Sequence, residues 1–357
     1  MAEWAGLENR NTRKCIVGSN PTLSANPFSR LRRLLMRRAA FALALAIAVP
    51  ASAGAPLAPE VEAFIQDMVQ KHQFSGSTLR ELFAKVEPNP KVIDLMTAPL
   101  TALPWYQFRT RYVDALRIDG GVKFWREHAE TLARARREFG VPEEIVVATI
   151  GVESIYGRRT GRFGVLESLT MLAFSYPPRA RLFRSELEHY LLLAREARFE
   201  AASVKGSYAG AIGIPQFLPS SYRRYAVDFD GDGRRDLVGS IADAIGSVAN
   251  YYRSHGWRAG ETITVPAEVD SSDVTALLER GVRPRIRLDE LKRHGVQPAV
   301  PIEEGAEAAL VEVESETGPS YWLGLNNFYV ITRYNRSINY ALAVHELAQE
   351  LRARFGP

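Results

Sequence analysis

The sequence predicts a mainly α-helical protein with a small α+β portion near its C-terminal end. Apolar residues recur at helical spacing from Pro59 to His255 and again from Asn339 to Phe355. Two-residue alternation is confined to the stretch from Thr262 to Tyr334. Pro and Gly clusters at Pro88 to Pro90, Tyr176 to Pro178 and Gly206 to Ser221 fall between the helical runs.

In chain order, Val61, Phe64, Ile65, Met68 and Val69 follow the i, i+3, i+4, i+7, i+8 order of an amphipathic helix. Thr78-x-x-Glu81 reads as a capping box ahead of Leu82, Phe83 and Val86, and Pro88 and Pro90 end that element. Pro99 to Tyr112 is rich in aromatic residues, Trp105, Tyr106, Phe108 and Tyr112, which serve either as core or as a stacking platform. Gly120 to Phe139 reads as one long helix that stops at Gly140. Pro142 then opens the next helix as its first residue, with Glu143 and Glu144 in the first turn. Leu166, Leu169, Leu172 and Ala173 form one apolar face, and Phe183, Leu187, Tyr190, Leu191 and Ala194 form another. Short helices over Ser220 to Ala226 and Asp243 to His255 flank an acidic loop.

Beyond Trp257 the texture changes. Thr262 to Pro266 reads as a strand, Asp273 to Leu278 and Leu288 to His294 as short helices, and Ala308 to Val313 and Phe328 to Tyr334 as strands on either side of a Gly-Pro turn. Asn339 to Phe355 is a closing helix with Leu342, Leu347 and Leu351 inward and His345 at the surface. The expected organisation is an N-terminal helical domain at 54–140, a central core at 141–258, a small α+β domain at 259–333, and a last segment at 334–357 returning to the core.

The 357 residues allow two or three domains. The net charge of +4 arises in residues 1–53, where eight Arg or Lys outnumber Glu3 and Glu8; without that segment it becomes −2, and no global charge argument for nucleic acid or anionic membrane is left. Met36-Arg-Arg, the apolar run Ala39 to Val49 and the A-x-A ending at Ala53 read as a secretory signal over 36–53, cleaved after Ala53. Residues 1–35 carry no periodic pattern and read as a non-native upstream extension, with translation starting at Met36. Cys15 is the only cysteine and lies in this leader, so no cysteine follows the signal to carry a lipid. The expectation is a soluble periplasmic protein with no membrane span.

Three stretches carry chemistry. In Thr149-Ile-Gly-Val-Glu-Ser-Ile-Tyr-Gly157, Glu153 shares a helix face with Val146, Thr149, Ile150 and Gly157 and has no Lys or Arg at helical pairing distance. Either it is a solvated or capping glutamate, or its apolar setting raises its pKa and makes it a general acid. Gly206 to Ser221 holds three Gly and two Pro, a backbone that turns tightly either under a helix or against a ligand, with Gln216 its longest polar side chain. Asp228-Phe-Asp-Gly-Asp-Gly-Arg-Arg-Asp236 places carboxylates at positions 1, 3, 5 and 9 of a calcium loop, with Gly233 at position 6. Position 12 is Gly239, so Asp243 is the next acid able to reach back. The ligand set is then Asp228, Asp230, Asp232, the carbonyl of Arg234, and Asp243; the alternative is a solvated acidic turn. No zinc spacing, P-loop or G-x-G-x-x-G occurs.

Ile150 to Gly157, Gly206 to Gly213, Gln216 to Tyr222, Ala226 to Gly233, Asp243 to Asn250 and Phe328 to Asn335, in that order, resemble the lytic transglycosylase B family of murein-cleaving enzymes. The resemblance runs from about Leu57 to the C-terminus. It implies a lysozyme-like core at 141–258 with an EF-hand-like calcium loop, and non-hydrolytic cleavage of the β-1,4 bond between N-acetylmuramic acid and N-acetylglucosamine, giving 1,6-anhydromuramoyl products. It makes Glu153 the catalytic acid and then base, and assigns Ser207, Gln216, Tyr334, Asn335 and Tyr340 to sugar binding, with Phe108 and Arg179 as further groove residues. Partners would be peptidoglycan strands and proteins of cell-wall synthesis or remodelling. A retaining or inverting glycosidase needs a second carboxylate. Glu167 and Glu186 lie in nearby helices but in no recognisable motif. The competing readings are a hydrolytic muramidase and a non-catalytic, calcium-stabilised peptidoglycan-binding scaffold. Departures from the family pattern are Ala and Gly where a lipid-bearing cysteine would stand, the late acid Asp243, and Pro178 beside Arg179 in place of an arginine.

Overall fold

The apolar stripe of the first helix sets the pattern for the N-terminal part. In α1 (Pro59–His72), Val61, Phe64, Ile65 and Met68 are buried, and Gln73 ends the helix in a left-handed conformation. The computed structural model describes residues 56–97, 103–270 and 273–356; the expected signal and upstream extension, with Cys15, lie outside them. In α2 (Gly76–Ala84) the cap is Ser75, whose hydroxyl accepts from the Thr78 amide. The expected capping box at Thr78 is therefore displaced by three residues: Thr78 lies within the first turn. α3 (Lys91–Thr97) and α4 (Trp105–Tyr112) follow.

The single helix expected over 120–139 is two. α5 (Ala115–Glu127) begins earlier, because Asp114 caps the Arg117 amide, and α6 (Ala129–Phe139) starts after a break at His128, whose φ of −123° leaves the helical region. The bend lets α5 pack on α7 (Glu143–Ser154) and the last helix while α6, which also touches α7, packs mainly on the helix at 241–254. An antiparallel pair of two-residue strands, β1 (Phe163–Gly164) and β2 (Lys205–Gly206), brackets α8 (Val165–Ser175), a 3-10 turn at Pro177–Arg179 and α9 (Ala180–Ala197). α10 (Pro219–Tyr225) and α11 (Ile241–Ser254) flank the acidic loop.

Five strands then form one antiparallel sheet in the order β4-β6-β7-β3-β5. They are β3 (Thr264–Val269), β4 (Ile286–Arg287), β5 (Val296–Pro298), β6 (Glu307–Ser315) and β7 (Gly318–Gly324), with α12 (Thr275–Leu278) and α13 (Leu288–Arg293) between them. Alternation along β6 divides it between two clusters: Ala308 and Leu310 belong to the small core of this portion, Val311 and Val313 to the main helical core.

Two expectations near the C-terminus are corrected. Phe328 to Tyr334 is not a strand but part of α14 (Asn326–Tyr334); β7 is the hairpin partner of β6, paired through Ser315 and Gly318. Phe, Tyr, Val and Ile favour strands locally, yet Asn327, Phe328, Val330 and Ile331 are buried where α14 packs on α11 and α15, and that packing overrides propensity. In α15 (Ile338–Phe355), Leu342, Leu347 and Leu351 are fully buried, whereas His345 is half-buried rather than at the surface, and burial pushes its imidazole down to about 4. Among the described residues no helix is long and apolar enough to cross a membrane.

Candidate active site

α7 is a buried helix whose N-terminus is fixed by charge. Glu144 pairs with Arg352 of α15 at 2.6 Å, and Glu143 pairs with Arg136 of α6 at 3.2 Å. Pro142 caps the helix from outside, one position earlier than expected. At the other end the chain turns abruptly: Ile155, Tyr156 and Gly157 are all left-handed, at φ 50°, 59° and 82°. Gly157 therefore lies beyond the helix and not on the Glu153 face. A β-branched residue at positive φ is costly and persists only where surrounding structure imposes it. Here that structure is a clamp: Tyr156 donates from its hydroxyl to the Arg117 carbonyl at 2.7 Å, and Arg117 donates from Nε to the Gly151 carbonyl at 3.1 Å. The Tyr156 ring lies so close over α7 that a Cβ at Gly151 would meet its hydroxyl at 2.4 Å. Nothing in the spacing of Arg117 and Tyr156 signals this clamp.

Glu153 sits one residue before the end of α7, only 9% exposed. Tyr340, fully buried near the start of α15, donates its hydroxyl to Oε1 at 2.7 Å. Burial pushes the carboxyl up to about 8, against a smaller downward pull from the Tyr340 bond. Among the described residues no cation pairs with Glu153 and no second carboxylate acts on it. Glu186, also buried, spends both oxygens on Ser220, accepting from the hydroxyl at 2.6 Å and the amide at 2.9 Å. That ties it to the start of α10.

Aromatic rings close around the acid. Tyr340 stacks on Tyr334 with centroids 6.3 Å apart, and Tyr334 in turn contacts Tyr251 at 4.8 Å and Tyr252 at 5.6 Å. Tyr334 donates to the Pro215 carbonyl at 2.6 Å, linking α14 to the Gly-rich stretch. Tyr252 shares a 2.8 Å hydrogen bond with Thr149, one turn before Glu153. Tyr251 and Tyr252 escape a sequence reading because they look like ordinary core residues of an amphipathic helix. Asn335 is buried at the α14–α15 junction, where its carbonyl accepts from the Ser337 amide.

The Gly-rich stretch folds as a chain of tight turns. Ser207 accepts the amides of Ala209 and Ala211, and Gln216, itself left-handed at φ 51°, donates its side-chain amide to the carbonyls of Thr160 and Gly213. Among the described residues no donor bonds the Gln216 side-chain oxygen, which leaves it to accept. Arg179 is half-buried in the 3-10 turn before α9. Phe108 departs from expectation: it is 1% exposed, stacked on Tyr112 at 4.4 Å, and so is core with no ring face for a sugar.

In the acidic loop, Asp228, Asp230 and Asp232 each bring a carboxylate oxygen within 4.8 Å of the others, all on exposed side chains. Asp228 accepts amides of Gly231, Asp232 and Gly233, which curls the loop around the cluster. Asp243 reaches back as expected but falls outside that cluster: it accepts the Phe229 amide at 2.6 Å and the Asp236 amide at 2.7 Å from beneath the loop. All-oxygen donors of this kind suit a hard divalent cation.

The Transglycosylase SLT domain model matches residues 57–349. The chain is 40% identical over 301 residues to membrane-bound lytic murein transglycosylase B of Escherichia coli (strain K12), covering 82% of this chain and 82% of that protein. The crystal structure of soluble lytic transglycosylase SltB1 from Pseudomonas aeruginosa superposes with a TM-score of 0.77 at 45% identity, covering 84% of this chain and all of that one (100%). The Escherichia coli lytic transglycosylase Slt35 in complex with calcium gives 0.74 at 39% identity, covering 82% and 92%. SltB3 from Pseudomonas aeruginosa in complex with NAG-NAM-pentapeptide gives 0.71 at 33%, covering 82% and 78%. A buried lone carboxyl on a helical core thus coincides with family-level similarity over nearly all the described residues, and the chain belongs to the SLT-domain lytic transglycosylases.

Proposed function

We propose that this chain is an exported periplasmic enzyme that cleaves the β-1,4 bond between N-acetylmuramic acid and N-acetylglucosamine in peptidoglycan without water, using Glu153 as acid and then as base. The observation that carries the reading is a single buried carboxyl, held near a pKa of about 8, with a tyrosine hydroxyl as its polar partner. Such a group is mostly protonated at neutral pH and can donate to the glycosidic oxygen as the C1–O bond breaks. The substrate's own N-acetyl oxygen then supports C1, which removes the need for a second carboxylate. Glu153, now ionised and favoured by the Tyr340 bond, takes the proton of the muramoyl 6-hydroxyl as that oxygen attacks C1. The cycle ends with Glu153 protonated again and no water consumed.

Ser207, Gln216, Tyr334, Asn335 and Tyr340 are the proposed sugar-binding residues, supported for Tyr340 by its bond to Glu153 and for Tyr334 by its stack on Tyr340 and its bond to the Pro215 carbonyl beside Gln216, and Arg179 is proposed at the groove edge. Calcium is the proposed ion of the acidic loop. Asp228, Asp230, Asp232 and the Arg234 carbonyl would hold it, and Asp243 would complete the set, since a carboxylate oxygen that accepts one amide keeps a further lone pair. The ion would supply loop rigidity. Digestion of purified sacculi with the parent chain and Glu153→Gln, followed by mass analysis, tests the reading: anhydro ends from the parent and none from the variant are expected. Reducing ends, or an active variant, would overturn it.

A further inference from the structure

Arginines gather beside the aromatic row with no acid to balance them. Arg224 lies over the Tyr225 ring at 5.3 Å, and Arg333 and Arg283 lie over the Tyr329 ring at 5.9 and 5.7 Å. Arg336 follows at the α14–α15 junction. Among the described residues none of the four forms an ion pair with a carboxylate, whereas the neighbouring Arg223 does, with Glu196. Arg224, Arg283 and Arg336 are exposed, and Arg333 is half-buried.

The cluster is tied to the catalytic row through Tyr251. Its ring stacks on His255 at 4.1 Å, meets Tyr225 at 4.9 Å, and meets Tyr334 at 4.8 Å; its hydroxyl donates to the Arg333 carbonyl at 2.6 Å. Tyr334 stacks on Tyr340, which holds Glu153. Partial desolvation and then the Arg333 charge lower the Arg336 pKa, and both arginines act on Tyr251. Like charges held this way repel, and an anion arriving between them would meet pre-placed planar donors that match a carboxylate.

We infer that Arg224, Arg333 and Arg336 form a subsite for the carboxylates of the acidic peptide carried by the glycan strand, beside the Tyr251 end of the aromatic row. The inference rests on the function proposed above. It places strand selection in a charged rim distinct from the residues that hold the sugars. Continuity with the Tyr251–Tyr334–Tyr340 row favours an anion borne by the substrate over a phospholipid headgroup.

Soluble end-labelled glycan strands, with peptides intact or removed by an amidase, provide the test. Their affinity is measured for the full chain carrying Glu153→Gln, alone and with Arg224→Gln and Arg336→Gln added. Peptide-bearing strands should bind the parent more tightly, and the added changes should weaken them about tenfold for each arginine replaced, the loss of one charge-assisted contact apiece. Stripped strands should bind both proteins alike, and Arg336→Lys, which keeps the charge, should recover part of the loss. Equal affinity for the two strand types, or a preference that survives the arginine changes, would overturn the inference. So would loss of binding to anionic phosphatidylglycerol vesicles with strand affinity unaltered, which would reassign the rim to a membrane surface. Failure of the catalytic reading shows separately, as absence of anhydro product from the parent on either strand type.

Discussion

Replacing Tyr340 with phenylalanine deletes one hydroxyl and leaves a ring able to keep its stack on Tyr334. That hydroxyl donates to Glu153 Oε1 at 2.7 Å, a bond that favours the ionised carboxyl. A hydrogen bond to a charged group contributes about 1.5–3 kcal/mol, and one pKa unit corresponds to roughly 1.36 kcal/mol. Its loss should therefore raise the Glu153 pKa by about 1–2 units from its position of about 8. In the proposed mechanism the first chemical step needs the protonated acid, so activity should fall as pH rises through this pKa, and Tyr340→Phe should shift that fall to higher pH. At pH 9 the parent would keep about a tenth of its plateau and the variant half or more. The assay is kcat/KM for release of anhydro product from soluble strands between pH 5 and 10. A basic limb that stays in place or moves to lower pH would refute the assignment of Tyr340 as the partner that favours ionised Glu153.

The other expectations are simpler. Glu153 has its pKa raised on folding, from 4.5 to about 8, so the stability tied to its protonated form is complete below 4.5 and is lost as pH rises through 8. The whole loss is at most about 5 kcal/mol. Glu153→Gln should melt higher than the parent at pH 8.5 and close to it at pH 5, and an equal difference at both would contradict the burial argument. Calcium added to chelated protein should raise the melting temperature, by about 2.7 kcal/mol of stability at a hundredfold excess over Kd; Asp228→Asn with Asp232→Asn should abolish the rise, and calorimetry decides. Gly151→Ala places a Cβ at 2.4 Å from the Tyr156 hydroxyl, so denaturant unfolding should show a loss of about 1–3 kcal/mol. Unchanged stability would mean the Tyr156 clamp is looser than its contacts imply.

Periodicity made most helices legible, because one-sided burial writes itself into apolar spacing: Phe64, Ile65 and Met68 are core in the order the sequence presents them. It failed where a tertiary partner decides. α14 has strand-forming residues and folds as a helix against α11 and α15, and the break at His128 lets α5 and α6 reach different neighbours. The isolation of Glu153 could be read locally, since it needs only the absence of nearby cations. Its partner could not, because Tyr340 lies 187 residues away in the chain. Phe108 shows the converse limit: an aromatic-rich stretch does not reveal which ring faces water, and this one is stacked inward between Trp105 and Tyr112. Asp243 was identifiable as a carboxylate near the loop, but its bonds to the amides of Phe229 and Asp236 emerge only from the fold.

Digestion of purified glycan strands in heavy-oxygen water tests the central claim most directly. Cleavage by Glu153 with the 6-hydroxyl as nucleophile predicts muramoyl products lighter by one water than reducing ends and free of the heavy isotope. One heavy oxygen at C1 of the new ends would show that water is the nucleophile and would contradict the account.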